Sequence, residues 1–112
     1  MVTAPVDIDP DEAMRLVGDA DVILLDVRED DEWSAGHARG AVHMRLGDLD
    51  PAALGTNRTA VAVCRSGARS RMAAMKLAEA GVSIYNLAGG MKAWDGSGRA
   101  VVRDDGTAGI VI

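Results

Sequence analysis

The sequence predicts an α/β domain with a parallel central sheet covered by helices on both faces, and three observations lead there. Val22-Ile23-Leu24-Leu25 and Ala60-Val61-Ala62-Val63 are continuous apolar runs, the pattern of strands buried on both faces rather than one. Helix-forming segments stand between the apolar runs, so that strand and helix alternate along the chain. At 112 residues with 48% hydrophobic side chains, the chain can build one core and is too short for two. A single domain over residues 1–112 is therefore expected, with its core from about residue 6 to 101 and an extension at 102–112.

Asp9-Pro10-Asp11-Glu12 is a helix start, with proline in the first turn and carboxylates at the positive end of the helix. Ala13, Leu16 and Val17 follow at helical spacing, and Gly18 or Asp19 ends the helix. The run from Val22 is closed by Asp26-Val27-Arg28, and the acidic stretch Glu29 to Glu32 opens the next helix. Further elements are a strand at Ala41 to Met44, a short helix near Leu46 to Leu54, a strand ending at Val63, and a helix over Met72 to Ala80 stopped by Gly81. A strand at Ser83 to Leu87 and a helical turn from Gly90 to Trp94 complete the alternation. The tail holds Val101-Val102 and Ile110-Val111-Ile112 around Asp104-Asp105-Gly106, which suggests a terminal hairpin.

Phenylalanine is absent and only Trp33, Tyr85 and Trp94 are aromatic, so the core must be aliphatic, with the six methionines as gap fillers. The formal charge of −5 is uneven: residues 1–32 carry eleven acidic and two basic side chains, the remainder six acidic and ten basic. A positive second half would attract a small anion. Nucleic acid is not expected as a partner, because the arginines are scattered and no aromatic platform accompanies them. No apolar run reaches membrane-spanning length, and Met1 to Asp7 lacks the features of a signal peptide. A single cysteine forms no internal disulfide, and a reducing, cytoplasmic setting is expected.

That cysteine opens the segment Cys64-Arg65-Ser66-Gly67-Ala68-Arg69-Ser70, placed where a strand hands over to a helix. In parallel α/β sheets this edge is where ligands bind. A thiol becomes a nucleophile as its thiolate, and a helix N-terminus beside cationic side chains favours that form. Backbone N–H groups of a loop curled around the sulfur make an anion-binding concavity, and Gly67 supplies the dihedral freedom for the curl. Arg65 and Arg69 add positive charge, while Ser66 and Ser70 offer hydroxyls. A lone cysteine at a strand end is ordinarily a small buried hydrophobe. Two arginines, a glycine and two serines in the next six positions point instead to a reactive site.

On these residues the chain resembles the single-domain rhodaneses, a family of sulfurtransferases with a three-layer α/β fold. The likeness runs from about Val6 to about Val101 and rests on five pieces in order. They are Leu25-Asp26-Val27-Arg28-Glu29, then Glu32-Trp33 with Gly36-His37, then Gly40-Ala41-Val42, the Cys64 to Ser70 segment, and Leu87-Ala88-Gly89-Gly90-Met91 with Trp94. The resemblance implies a thiosulfate sulfurtransferase that carries sulfur as a Cys64 persulfide, with Arg65 and Arg69 recognising an anionic donor and the N–H groups of Arg65 to Ser70 stabilising the sulfur. It implies cyanide or a thiol, including a protein thiol, as acceptor, and neither a metal nor an organic cofactor. It also implies that Asp26 and Arg28 form a structural ion pair tying strand ends to loops. Ala38-Arg39 departs from the apolar residue and proline of many relatives, and the tail is longer than the fold requires.

Two other functions use the same residues: a cysteine-dependent phosphatase or arsenate reductase, and a non-catalytic binding module of the same fold. The four residues between Cys64 and Arg69, against five in the phosphatases, disfavour the first; retention of the cysteine disfavours the second. Glu29 to Glu32 reads as a solvated helix N-terminus. Trp33 and Trp94 read as packing residues, His37 as a partner of local backbone groups, and His43 as partly exposed. The two histidines lack ligand spacing for a metal.

Overall fold

The computed structural model describes residues 5–55 and 57–112. Among the described residues seven strands and five helices follow in the order β1 (Val6–Ile8), α1 (Pro10–Val17), β2 (Val22–Asp26), α2 (Asp30–Ala35), β3 (His37–Ala38), β4 (Val42–His43), α3 (Pro51–Leu54), β5 (Thr59–Val63), α4 (Ala68–Glu79), β6 (Ser83–Leu87), α5 (Gly90–Gly96) and β7 (Val101–Val102). A 3-10 turn at Leu46–Asp48 precedes α3. The main sheet has strand order β1-β6-β5-β2-β4, and every pairing in it is parallel.

Each strand sends alternate residues to opposite faces, and this builds two cores. Leu24, Val61, Val63 and Leu87 meet Ala13 of α1 and Met91 and Trp94 of α5 on one face. Leu25 and Cys64 meet Leu54 of α3 and Ala73 and Leu77 of α4 on the other. The continuous apolar runs of β2 and β5 are continuous because both faces are covered.

Local chemistry sets the helix ends. Asp9 caps α1 by accepting from the Glu12 N–H at 2.8 Å, and Asp50 caps α3 from the Ala52 N–H at 3.1 Å. At α2, Glu29 and Glu32 form a reciprocal capping box, with the Glu29 N–H donating to Glu32 Oε1 at 3.1 Å.

Several elements differ from expectation. The helix after Cys64 begins at Ala68, not Met72, so Arg69 and Ser70 lie in its first turn. The expected strand at Ala41 to Met44 contracts to Val42–His43. Strands β1 and β3 were not anticipated; they have three and two residues, too few to display a periodicity. The tail reverses over Arg103–Thr107, where the Arg103 N–H donates to the Thr107 carbonyl at 2.9 Å. The Gly109 N–H donates to the Val101 carbonyl at 2.8 Å, so the two limbs of the tail lie antiparallel as the expected short hairpin, with residues 110–112 beyond the pairing. Val101–Val102 pairs with His37–Ala38, Val102 bridges Ala108, and the Ile110 N–H crosses to the Ala35 carbonyl at 2.9 Å. Gly36 and Gly109 make this crossing possible, since a Cβ on Gly36 would lie 2.5 Å from the Ile110 carbonyl oxygen.

Asp26 and Arg28 are fully buried at the carboxyl end of β2. The Arg28 Nε donates to Asp26 Oδ1 at 3.0 Å and Nη2 donates to Oδ2 at 2.7 Å, while Nη2 also reaches the Gly36 carbonyl at 2.7 Å. The pair thus joins the end of β2 to the exit of α2. Replacing one partner strands the other charge without solvent. Arg28→Met is expected to destabilise the fold by about 3–5 kcal/mol in urea unfolding. The double variant Asp26→Leu/Arg28→Met should recover most of that loss, because it removes the stranded carboxylate.

Candidate active site

All the parallel strands end at one edge, and Cys64 stands there immediately after the central strand β5. Its residue is 1% exposed. Burial disfavours the thiolate, yet hydrogen bonds outweigh it: the Ser70 hydroxyl and the backbone N–H groups of Ser70, Gly67 and Ser66 converge on the sulfur and lower the thiol pKa. The Gly67 N–H donates to Sγ at 3.0 Å, and Ser70 Oγ lies 3.4 Å away. Gly67, which caps α4, has φ +114°, a conformation that side-chain-bearing residues rarely adopt.

The curl of this loop is held from behind. The Met91 N–H donates to the Cys64 carbonyl at 2.7 Å and the Lys92 N–H to the Arg65 carbonyl at 3.0 Å. Two amides of the first turn of α5 therefore take up the loop's outward-facing carbonyls, which leaves its N–H groups pointing at the sulfur. Gly90 allows the approach: its φ is +59°, and a Cβ there would stand 2.3 Å from the Cys64 carbonyl oxygen. The Leu87-Ala88-Gly89-Gly90-Met91 piece is thus part of the site, although none of its side chains bonds to the sulfur.

The two arginines part company. Arg69 makes a two-pronged ion pair with Glu32, Nη1 to Oε1 at 2.7 Å and Nη2 to Oε2 at 2.8 Å. Glu32 holds the Arg69 pKa above its ordinary value, and Arg69 in turn lowers the Glu32 pKa against the opposing effect of burial. The expectation that Glu29 to Glu32 is a solvated helix end is therefore corrected at Glu32, whose side chain is only 13% exposed. Sequence spacing gave no sign of this contact, which spans 37 positions. Arg65 is exposed, has no Asp or Glu side-chain partner among the described residues, and donates through Nε to the main-chain oxygen of Ile112 at 3.0 Å. Ser66 and Ala68 are exposed on the outside of the curl, and Ser70 is buried.

Trp33 lies stacked between His37 and His43, with ring centroids 3.6 and 4.7 Å apart. His37 Nδ1 lies 2.9 Å from the Trp33 carbonyl oxygen, and His43 Nε2 lies 2.7 Å from that of Arg28. Trp94 is buried, its Nε1 donating to the Ala100 carbonyl at 3.2 Å. Among the described residues no three His, Cys, Asp or Glu side chains converge as a metal site would require. A cavity of about 370 Å³ between α1 and Trp94 contains no residue of the Cys64 loop. None of the helices is long and apolar enough to cross a membrane, among the described residues.

Comparison with known proteins places residues 9–97 in the rhodanese-like domain family. The chain belongs to that family. A sulfurtransferase of Allochromatium vinosum is 34% identical over 84% of this chain and 91% of its own length. The thiosulfate sulfurtransferase GlpE of Coxiella burnetii is 29% identical over 74% of this chain and 80% of its own. The crystal structure of a rhodanese-related protein from Thermoplasma volcanium, 24% identical, superposes with a TM-score of 0.80 over 87% of this chain and 97% of that one. The rhodanese-like fold accounts for the parallel sheet and the helices packed against it.

Two measurements test the electrostatics. The rate of Cys64 alkylation against pH should have its midpoint below the ordinary cysteine value of about 8.5. Glu32→Gln should cost about 1 kcal/mol of stability near neutral pH, a figure discounted for screening because Arg69 is 35% exposed. Because the folded Glu32 pKa is depressed, the deficit should be complete above the unfolded value of about 4.3 and disappear as pH falls through the lower folded value.

Proposed function

We propose that this rhodanese-like protein is a thiosulfate sulfurtransferase that works through a Cys64 persulfide. The observation that carries the reading is a buried sulfur enclosed by backbone N–H donors, with Gly67 N at 3.0 Å. Such fixed dipoles stabilise an anion at that position without rearranging. In the first step the Cys64 thiolate attacks the outer sulfur of thiosulfate; the S–S bond to the donor breaks and its electron pair leaves with sulfite. Cys64 then holds a persulfide anion. In the second step cyanide or a thiolate takes the terminal sulfur and returns Cys64 as thiolate, a ping-pong cycle whose charges balance with no metal or organic cofactor.

The roles of the other residues follow from their partners. Arg65, exposed, without an Asp or Glu side-chain partner among the described residues and engaged only through Nε, is assigned to meet the anionic donor. Arg69 is assigned to hold the mouth of the loop through Glu32, a change from donor recognition as its main task. Ser66, Gly67, Ala68 and Ser70 form the cradle. The exposed rim suits a bulky thiol or a protein as acceptor. A free thiolate suits a reducing, cytoplasmic setting.

A phosphatase reading is disfavoured by size. Four residues between Cys64 and Arg69 close a ring of N–H groups suited to one sulfur and too tight to bond the three equatorial oxygens of a phosphoryl group. Intact-mass measurement after incubation with thiosulfate should reveal a gain of one sulfur atom, reversed by cyanide and absent in Cys64→Ser. Hydrolysis of aryl phosphates that is lost in Cys64→Ser, with no sulfur gain in the parent protein, would overturn the assignment. Arg65→Ala should weaken use of thiosulfate about 10- to 100-fold, the worth of one charge-assisted hydrogen bond. An uncharged sulfur donor should suffer less.

A further inference from the structure

Behind the active-site loop lies a hydrogen-bonded chain that the sulfur-transfer cycle does not use. Ser70 Oγ is fully buried and faces three acceptors: Asn86 Oδ1 at 2.5 Å, the Gly67 carbonyl at 3.2 Å and Cys64 Sγ at 3.4 Å. A hydroxyl donates one hydrogen. The shortest contact assigns that hydrogen to Asn86, a residue 2% exposed on β6.

The orientation of the Asn86 amide is not free. Its Nδ2 faces Asp7 Oδ1 at 3.0 Å and the Gly67 carbonyl at 3.4 Å, and both of these only accept. The amide nitrogen must point to them, so the amide oxygen must point to Ser70. Asp7 is itself fixed by Arg71, whose Nη2 donates to Asp7 Oδ2 at 2.6 Å. Asp7 belongs to edge strand β1 and lies outside the family-matched residues 9–97.

We propose that Asn86, locked by Asp7, is a positioning residue that competes with the Cys64 sulfur for the single Ser70 hydrogen. The proposal rests on the reading of Cys64 as the nucleophile. While Cys64 is a thiol, the chain is satisfied throughout: the S–H faces an oxygen lone pair of Ser70, Ser70 donates to Asn86, and Asn86 donates to Asp7. Ionisation turns the sulfur into an acceptor. Ser70 can answer only by turning its hydrogen away from Asn86, which leaves a buried carbonyl oxygen without a donor, a costly state. Asn86 therefore works against the backbone N–H groups and keeps the thiolate more basic than the loop alone would make it. A more basic thiolate is the better nucleophile once formed. The same competition favours the persulfide, in which the charge has moved to the outer sulfur and the Ser70 hydrogen can return to Asn86.

The test is the pH midpoint of Cys64 alkylation by iodoacetamide, with no sulfur donor present, so that it is independent of whether thiosulfate is the substrate. Arg65 on the loop, Arg69 with Glu32 across the mouth, and Asp7 with Arg71 behind β6 are the charged groups around the site. All are retained except where named. Asn86→Leu, similar in shape and without an acceptor, should lower the midpoint by about one unit, and Ser70→Ala should raise it by a similar amount. In the Ser70→Ala background, Asn86→Leu should have no effect. Asp7→Ala, an exposed change on an edge strand, removes the acceptor that holds Asn86 Nδ2 at 3.0 Å and leaves only the longer Gly67 contact, so the amide can turn and the midpoint should fall in the same direction; this shift should also vanish with Ser70→Ala. A purely coulombic effect of Asp7 would survive that background and overturn the proposal, as would a midpoint that stays or rises in Asn86→Leu. Should Asn86→Leu fail to fold, the Asp7→Ala pair decides alone.

Discussion

The structure depends on solvating a buried sulfur with backbone. Cys64 is withdrawn from water, and burial alone would keep it a thiol. Only dipoles already aimed at the sulfur reverse that preference, and they stay aimed only if the loop cannot relax. The loop is prevented from relaxing by α5, whose first amides hold the Cys64 and Arg65 carbonyls. Gly67 makes the curl, and Gly90 admits the element that locks it. Two glycines far apart in sequence are one device. The rest of the sheet serves to present β5 and β6 side by side, so that the loop after one meets the helix after the other.

The uneven charge of the chain takes on a different meaning in three dimensions. Acidic residues of the first third pair with basic residues of the remainder: Asp7 with Arg71, Asp11 with Arg99, Asp30 with Arg45 and Glu32 with Arg69. The asymmetry is therefore in good part internal complementarity between β1 to α2 and the elements that follow, rather than a free positive field. Exposed pairs of this kind contribute little to stability each. Glu32 and Arg69 stand apart, because their two-pronged pair is partly buried and fixes the first turn of α4, next to the Cys64 loop, against α2.

Much of this was legible in the sequence, and what was not has a physical reason. Continuous apolar runs located β2 and β5, since burial on both faces removes polar residues from both parities. Asp9-Pro10 marked the start of α1 through capping chemistry that is local. The loop after Cys64 was legible as a strand-to-helix turn because Gly67 and the polar residues around it interrupt an apolar run before a stretch of helix formers. Strands β1 and β3 were not, being too short to carry a period and defined by partners far along the chain. The start of α4 was placed late because Ala68 to Arg71 reads equally well as loop or helix until Gly67 takes its left-handed turn. Glu32 was misjudged as solvated for a related reason: a glutamate in a capping box has the same local sequence whether or not an arginine arrives from elsewhere.

On the proposed cycle, the division between the two arginines has a consequence for where charge travels. Formation of a persulfide moves the negative charge outward by one S–S bond, about 2 Å, from the buried Sγ toward the mouth. The N–H groups that held the thiolate cannot follow, being fixed in the loop. Arg69 cannot follow either, with both prongs of its guanidinium on Glu32. Arg65 can: it is exposed, and its Nη groups are uncommitted among the described contacts, with only Nε engaged by Ile112. On that cycle the uncommitted cation is the one left to meet the charge of the incoming donor and outgoing sulfite, while the committed one keeps the loop in shape. Rigid dipoles hold the sulfur and a movable charge serves the anions that exchange with it, a partition suited to a site that must grip one atom and release its partners in turn.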